Sequence, residues 1–339
     1  MTPHLGSFIL RRAVSAVVLV LVVSSAAVLL ARLAPGDHLS EFELTPAQIA
    51  AERHRLGLDA PLHVQYFAWL RRFARFDLGE STRYPGRRVS TLIGERIGNT
   101  VILGGAALVV ATALGIPLGV ISARGRRDPL ALTTRGLSVV LLALPPVVLS
   151  LALLFLASKT GWFPVGGLPP GGGAGVMLHH LVLPVLALGL PVAATLERVQ
   201  SRAMIDALRH PSVQAARARG IPRTRLVWSH ALRLSLTPVL AVYGIIAATL
   251  VSGSFAVEYV MTWPGLGRLL YDGLIARDAN VVAGCAATGA AVLAIGIFFA
   301  DVALAAVDPR VAHPRRNGPA RSVRRSCQAW SWLRCSRRS

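Results

Sequence analysis

Residues able to do covalent or metal chemistry are scattered along this chain rather than grouped. His179-His180 has no carboxylate or further histidine beside it to complete a metal set, so it reads as an interfacial or helix-start pair. Cys285 lies in an apolar run and Cys327 and Cys335 lie in the tail, with no CxxC pair and no histidine at ligand spacing; neither a disulfide framework nor a zinc site follows. The patterns HExxH and GxSxG do not occur, and Gly253-Ser254 lacks the second glycine of a nucleophile turn. A nucleotide-binding P-loop needs a glycine-rich run ending in Gly-Lys-Ser/Thr, whereas the single lysine, Lys159, follows Ala157-Ser158. No catalytic residue, metal or cofactor is assigned to this chain.

The chemistry that remains is recognition, and one segment is built for it. Asp206 to Pro238 is a charged stretch of about thirty residues between two apolar runs. Its pattern is two short helices and a turn. Ser212 can cap a helix running through Arg219, Gly220 supplies a left-handed C-terminal residue, and Pro222 opens a second helix bearing Leu226, Val227, Ala231 and Leu232 at helical spacing. The small residues Ala215, Ala216 and Ala218 would let the first helix seat in a groove of another protein. A solvated basic loop lying on anionic lipid is the plainer alternative, and Arg217 and Arg219 would serve either partner. His210 and His230 read as packing or docking residues.

The elements that must hold this segment are membrane helices. A hydrophobic content of 53%, only 15% charged residues and a mean hydropathy of +0.56 are too apolar for a soluble domain. The net charge of +20 comes from arginines placed between apolar runs and in the tail, which marks topology rather than nucleic-acid binding. Ala13 to Ala31 is about nineteen uncharged residues, the length of a membrane span, and is too long for the apolar part of a signal peptide. Five further runs follow near Thr100 to Ser122, Arg135 to Ala157, His180 to Leu196, Thr237 to Val257 and Val281 to Ala303. About six spans put both termini on one side. Arg11-Arg12, the Arg124/Arg126/Arg127 turn, the Arg198 to Arg233 segment and the tail fall on that side, which is therefore expected to be cytoplasmic.

The expected organisation is thus residues 1–32 as N-terminus and first span, 33–96 as an external insertion, 97–307 as five spans with a charged loop at 197–236, and 308–339 as a basic tail without apolar periodicity. In the insertion, Thr45-Pro46-Ala47-Gln48 is a capping box for a helix stopping at Gly57, and a second helix after Asp59-Ala60-Pro61 carries Tyr66, Trp69 and Leu70 on one face. Within the spans, Gly115-Ile116-Pro117-Leu118-Gly119 offers a face for close helix approach, and Pro145-Pro146 removes backbone bonds in mid-span. These five positions, Gly115, Pro117, Gly119, Pro145 and Pro146, are candidates for helix packing or for the border of a transport pathway. Asp301 is the one acid inside an expected span, close to its end, where a neighbouring arginine can pair with it.

Gln214-Ala215-Ala216, three residues and then Gly220 resembles the Glu-Ala-Ala…Gly coupling motif of bacterial ABC importer permeases, with glutamine in place of glutamate. Ala216-Arg217-Ala218-Arg219-Gly220 followed by His230-Ala231-Leu232-Arg233 looks like the variant of the dipeptide/oligopeptide branch. Further blocks in the order of that family are Leu44 to Ile49, Arg55 to Leu62, Gln65-Tyr66, Asp77-Leu78-Gly79, Glu258 with Trp263-Pro264-Gly265-Leu266-Gly267, Ala276-Arg277-Asp278 and Asp308-Pro309-Arg310. The resemblance implies an all-α type I importer permease working as half of a pore in a bacterial inner membrane. Its implied partners are a second, different permease, two ATPase subunits that bind the ATP, and an external solute-binding protein. Residues Gln214 to Gly220 would couple to the ATPase. The cargo expected by resemblance is di- or oligopeptide, though relatives carry nickel chelates and other solutes. An ion-coupled secondary transporter is the rival from another class, and it would need intramembrane charges for ion coupling.

Overall fold

A computed structural model describes residues 3–33, 60–75, 77–125, 127–169, 171 and 173–307. The capping-box helix expected from Thr45, the blocks at Leu44 to Ile49 and Arg55, the tail with Cys327 and Cys335, Asp308-Pro309-Arg310 and Arg126 lie outside the described residues. Among the described residues every regular element is helical: α1 (Pro3–Leu33), α2 (Leu62–Phe73), α3 (Val89–Ser122), α4 (Pro129–Ala143), α5 (Pro146–Thr160), α6 (Ala174–Arg209), α7 (Pro211–Ala218), α8 (Leu232–Ala241), α9 (Tyr243–Val260), α10 (Leu266–Ile275) and α11 (Ala279–Val307). Five of them are long and apolar enough to cross a membrane, and the bent pair α4–α5 makes six if it counts as one span.

The α4–α5 break follows from two consecutive prolines. A proline pushes the residue before it into extended backbone, so Leu144 ends α4 at ψ 115° and Pro145 at ψ 145° precedes α5. The two helices meet at 105°. Asp128 starts α4 by accepting from the Leu130 amide at 3.0 Å, and Gly161, left-handed at φ 67°, ends α5.

The fourth span differs from its sequence boundaries. The apolar run stops at Leu196, but α6 is 36 residues long and runs from Ala174 through Pro184 and Pro191 on to Arg209. An interior proline in a soluble helix costs ~3 kcal/mol. Here the helix holds because α6 supplies much of the main core, including Leu181, Leu183, Val185, Leu188, Val192 and Leu196. The extension also places Glu197, 1% exposed, inside the bundle, and Glu258 is likewise fully buried near the end of α9. Asp301 is therefore not the only acid within the helical bundle.

Helices α3 and α6 run parallel and in close contact. A Cβ on Gly115 would lie 2.6 Å from Leu196 Cβ and 2.8 Å from the Ala193 carbonyl, and one on Gly119 would lie 2.6 Å from Gln200 Cβ. From the other helix, a Cβ on Gly189 would meet the Ala107 carbonyl at 3.1 Å. Because lipid is as apolar as leucine, such backbone-to-backbone contact is the main source of attraction between spans. Hydrogen bonds between helices add to it: Gln200 Nε2 donates to Ser235 Oγ at 2.8 Å in the interior, linking α6 to α8, and the half-buried Thr112 and Tyr243 hydroxyls pair at 2.9 Å, linking α3 to α9. Helices α1 and α11 pack antiparallel, with an ion pair between Arg12 and Asp301 at one end and Val28 against Ala283 toward the other. The end carrying the Arg12–Asp301 pair is called proximal, and α6 and α3 both finish there.

The opposite, distal end is locked by two buried carboxylates. Asp278 accepts from the Ser81 hydroxyl at 2.7 Å, from the Thr82 and Arg83 amides at 2.7 and 3.1 Å, and from the Asn280 and Val281 amides at 3.1 Å each. One side chain thus caps α11 and ties down the segment before α3. Glu258 accepts from the Gly267 amide at 2.6 Å, Thr100 Oγ1 accepts from the Leu266 amide at 2.8 Å, and Trp263 Nε1 donates to the Asn99 carbonyl at 3.1 Å. Gly265 and Gly267 allow this fit, since a Cβ at either would come within 2.3 Å of Glu258 or Phe255. Helix α2 also follows its pattern: Trp69 is buried beside Val28 and Ala283, and the Tyr66 hydroxyl pairs with Ser25 at 2.9 Å.

Gly119→Val is expected to destabilise the protein by about 1–3 kcal/mol through overpacking, whereas Gly104→Val, where an added Cβ meets nothing within 4 Å, is expected to leave it unchanged. Thermal unfolding of the two variants in the same detergent makes the comparison.

Candidate functional site

The Gln214 to Gly220 segment sits at the proximal end, hung directly from the last turn of α6. His210 is extended at ψ 138°, and its Nδ1 accepts from the Ser212 amide at 3.3 Å; His210, not Ser212, is therefore the cap of α7. The cause is Pro211 at the first helical position, which fixes the helical φ one residue before Ser212. At the other end the chain closes in a Schellman turn. The Gly220 amide donates to the Arg217 carbonyl at 3.0 Å and the Ile221 amide to the Ala216 carbonyl at 3.5 Å, with Gly220 left-handed at φ 77°. The spacing of Ala216 and Gly220 is what this turn requires, and α7 ends at Ala218 with Arg219 as its cap.

Burial divides the segment into two faces. Val213 and Ala216 are buried in a separate core with Val120, Met204, Ala207, Leu226 and Ala231. Gln214, Ala215, Arg217, Ala218, Arg219 and Gly220 are exposed. Of the three small residues, then, Ala216 anchors the helix to its own chain, and Ala215 and Ala218 form the flat part of the free face. Gln214 has a definite local partner: its Nε2 donates to the Leu208 carbonyl at 2.6 Å, satisfying an end of α6 that has no helical donor left. An ionised glutamate has no N–H to give there.

The second helix expected after Pro222 is irregular. Arg223–Arg225 forms one helical turn, and Leu226–Ala231 is a π-helical segment that passes into α8. Leu226 and Ala231 point into the small core, while Trp228 is exposed. Between this segment, α7 and the α3–α4 turn lies a cavity of about 860 Å³, lined by Gln214, Arg217, Trp228, Arg124, Asp128 and Met204 among others.

The other sequence-selected positions separate from α7. Gly115 and Gly119 are at the α3–α6 contact with Pro117 half-buried between them, and Pro145 and Pro146 form the α4–α5 corner, where Pro146 Cγ approaches to 3.9 Å of a Cβ placed on Gly253. Sequence reasoning passed over Glu197 and Gln200, which are buried on α6 one turn apart. Their signal was two polar residues spaced i, i+3 directly after an apolar run.

The model of the family described as binding-protein-dependent transport system inner membrane component matches residues 115–313, and the N-terminal model of the same system matches residues 5–82. The chain is 32% identical over 317 residues to the oligopeptide transport system permease protein AppB of Bacillus subtilis, covering 91% of this chain and 100% of that protein. It is 31% identical over 308 residues to OppB of Escherichia coli K12, covering 90% and 99%, and 35% identical over 292 residues to a putative peptide permease of Brucella suis, covering 83% and 91%. Among solved structures, an inward-facing form of the MetNI methionine ABC transporter matches at a TM-score of 0.52 and 19% identity, covering 64% of this chain and 97% of that one. The chain belongs to the binding-protein-dependent transport system inner membrane component family. It is a multi-pass ABC importer permease, not an ion-coupled secondary transporter, and its family works with ATPase and solute-binding partners.

Replacing Gln214 by Met keeps the length and removes the donor to Leu208. A net loss of ~1 kcal/mol corresponds to about fivefold faster amide exchange where the junction opens locally. Hydrogen exchange read by mass spectrometry should show this over residues 207–214 and not over α3.

Proposed function

We propose that this chain forms half of the translocation pore of a peptide importer in a bacterial inner membrane, and that α7 is the element through which the ATPase moves it. The observation that carries the reading is the two-faced α7: it is riveted to its own chain through Val213 and Ala216 and offers Gln214, Ala215, Arg217, Ala218 and Arg219 outward. A helix held in this way transmits a push as a rigid body to α6, whose C-terminus it continues, and α6 passes it to α3 through the glycine contacts.

In this reading two ATPase subunits bind and hydrolyse the ATP, and the chain itself holds no ATPase site and no cofactor. A second, different permease completes the pore, and an external solute-binding protein delivers cargo. Both termini and α7 face the cytoplasm, in keeping with the arginines of Arg11-Arg12, Arg124, Arg127 and Arg198 to Arg233 gathered at one end of the spans. Peptide as cargo rests on the names of the relatives, oligopeptide permeases among them. Nickel chelates and other small solutes are the alternative cargoes.

Two measurements test this. In a variant with its native cysteines replaced, Ala215→Cys and Ala218→Cys are expected to crosslink to the neighbouring ATPase with a yield that changes on adding ATP, and Ala216→Cys, buried, is expected not to. A crosslink from all three or from none overturns the assignment of α7. In vesicles carrying the complete importer, ATP-dependent uptake of labelled tetrapeptide is expected to exceed uptake of a nickel chelate, and the reverse order would replace peptide as the cargo.

A further inference from the structure

A second groove, of about 640 Å³, opens at the proximal end between α4, α6 and the α3–α4 turn, away from the free face of α7. Its charge is lopsided. Arg198, Arg202 and Arg209 line it from one stripe of α6 and Arg135 from α4, while Glu197 is the one acid in its wall. Glu197 is buried at 1% exposure, and Arg198, Arg202 and Arg209 are exposed. Arg135 donates to the Ser122 carbonyl, and none of the four guanidinium groups has a carboxylate within ion-pair distance among the described residues. Like charges spaced i, i+4, as Arg198 and Arg202 are, repel unless an anion lies between them.

The surroundings say what kind of anion. Val139 lines the same groove, and on the exposed side of α4 it is accompanied by Leu132, Leu137 and Val140, all four more than half exposed. Cationic side chains at the end of a membrane helix, beside apolar surface that continues into the span, match an amphiphile with an anionic head and a hydrocarbon tail. A soluble anion would gain nothing from the apolar flank.

We propose that this groove holds the phosphate headgroup of an anionic phospholipid, with Arg198 and Arg202 as its principal contacts and the acyl chains along α4. The proposal rests only on the chain spanning a membrane and not on its cargo or on the role of α7.

The test uses the assembled, delipidated transporter in detergent, titrated with fluorescent short-chain phosphatidylglycerol, with the matching phosphatidylcholine, and with inorganic phosphate as competitor. Phosphatidylglycerol is expected to bind more tightly than phosphatidylcholine and to resist displacement by phosphate. The Arg198→Gln/Arg202→Gln variant is expected to weaken phosphatidylglycerol binding at least tenfold, on the order of what two interfacial arginines contribute. Arg198→Lys/Arg202→Lys, which keeps the charge and reports on folding, is expected to retain most of the binding. Arg71→Gln/Arg88→Gln, with both positions far from the groove, should bind like the parent. Unchanged affinity in the glutamine variant, equal binding of the two lipids, or an equal loss in the Arg71/Arg88 variant would each overturn the proposal. Displacement by inorganic phosphate would replace it with a small-anion site. A crosslink from Val139→Cys to the second permease would overturn it by showing that protein covers the groove.

Discussion

The contact between α3 and α6 is the constraint on which the rest of the molecule depends. Water cannot drive two apolar helices together inside a bilayer, so they must gain by touching more closely than either touches lipid. Gly115, Gly119 and Gly189 permit that approach, and side-chain atoms of Leu196 and Gln200 occupy the space that a Cβ would take. Since α6 also supplies much of the main core, its 36-residue length and its tolerance of Pro184 and Pro191 are consequences of the same packing.

The two ends of the bundle are built differently. At the distal end, Asp278 gathers five donors and Glu258, Thr100 and Trp263 fasten the Trp-Pro-Gly-Leu-Gly turn to α3 at Asn99 and Thr100. At the proximal end a small core of Val120, Met204, Val213, Ala216, Leu226 and Ala231 holds an eight-residue helix and a π-helical segment. Charge-assisted hydrogen bonds in a water-poor setting fix geometry more firmly than a few aliphatic contacts do. The coupling proposed for α7 would use this difference, with a distal end that keeps its shape and a proximal end held by fewer directional contacts.

Much of this was legible in the residues. The spans followed from hydropathy and length, the α4–α5 corner from Pro145-Pro146, the α2 face from Tyr66, Trp69 and Leu70, and the end of α7 from Gly220. Each of these signals is local: a proline restricts its neighbour, a glycine admits positive φ, and an apolar residue repeats every turn. The misses are equally specific. A hydropathy count bounds the fourth and fifth spans at Leu196 and Val257, one residue short of Glu197 and Glu258, because a charge ends an apolar run while a folded bundle can bury that charge. Ser212 reads as the cap from the sequence because capping propensity ranks serine high without regard to where a proline sets the first helical φ, whereas the structure caps α7 with His210.

The sequence by itself determined that the chain crosses a membrane several times, which end of the spans collects the arginines, and that a short helix after His210 is closed by Gly220. Those properties rest on transfer free energies and on backbone restrictions that each residue carries into any fold. Only the tertiary structure decided that Ala216 turns inward while Ala215 and Ala218 turn outward, that Gln214 serves the end of α6, that Gly265 and Gly267 make room for Glu258 and Phe255, and that Arg135 joins the arginine stripe of α6. The reason is physical: burial and partnership are properties of pairs of surfaces, and the second surface of each pair comes from a part of the chain that periodicity and spacing do not reach.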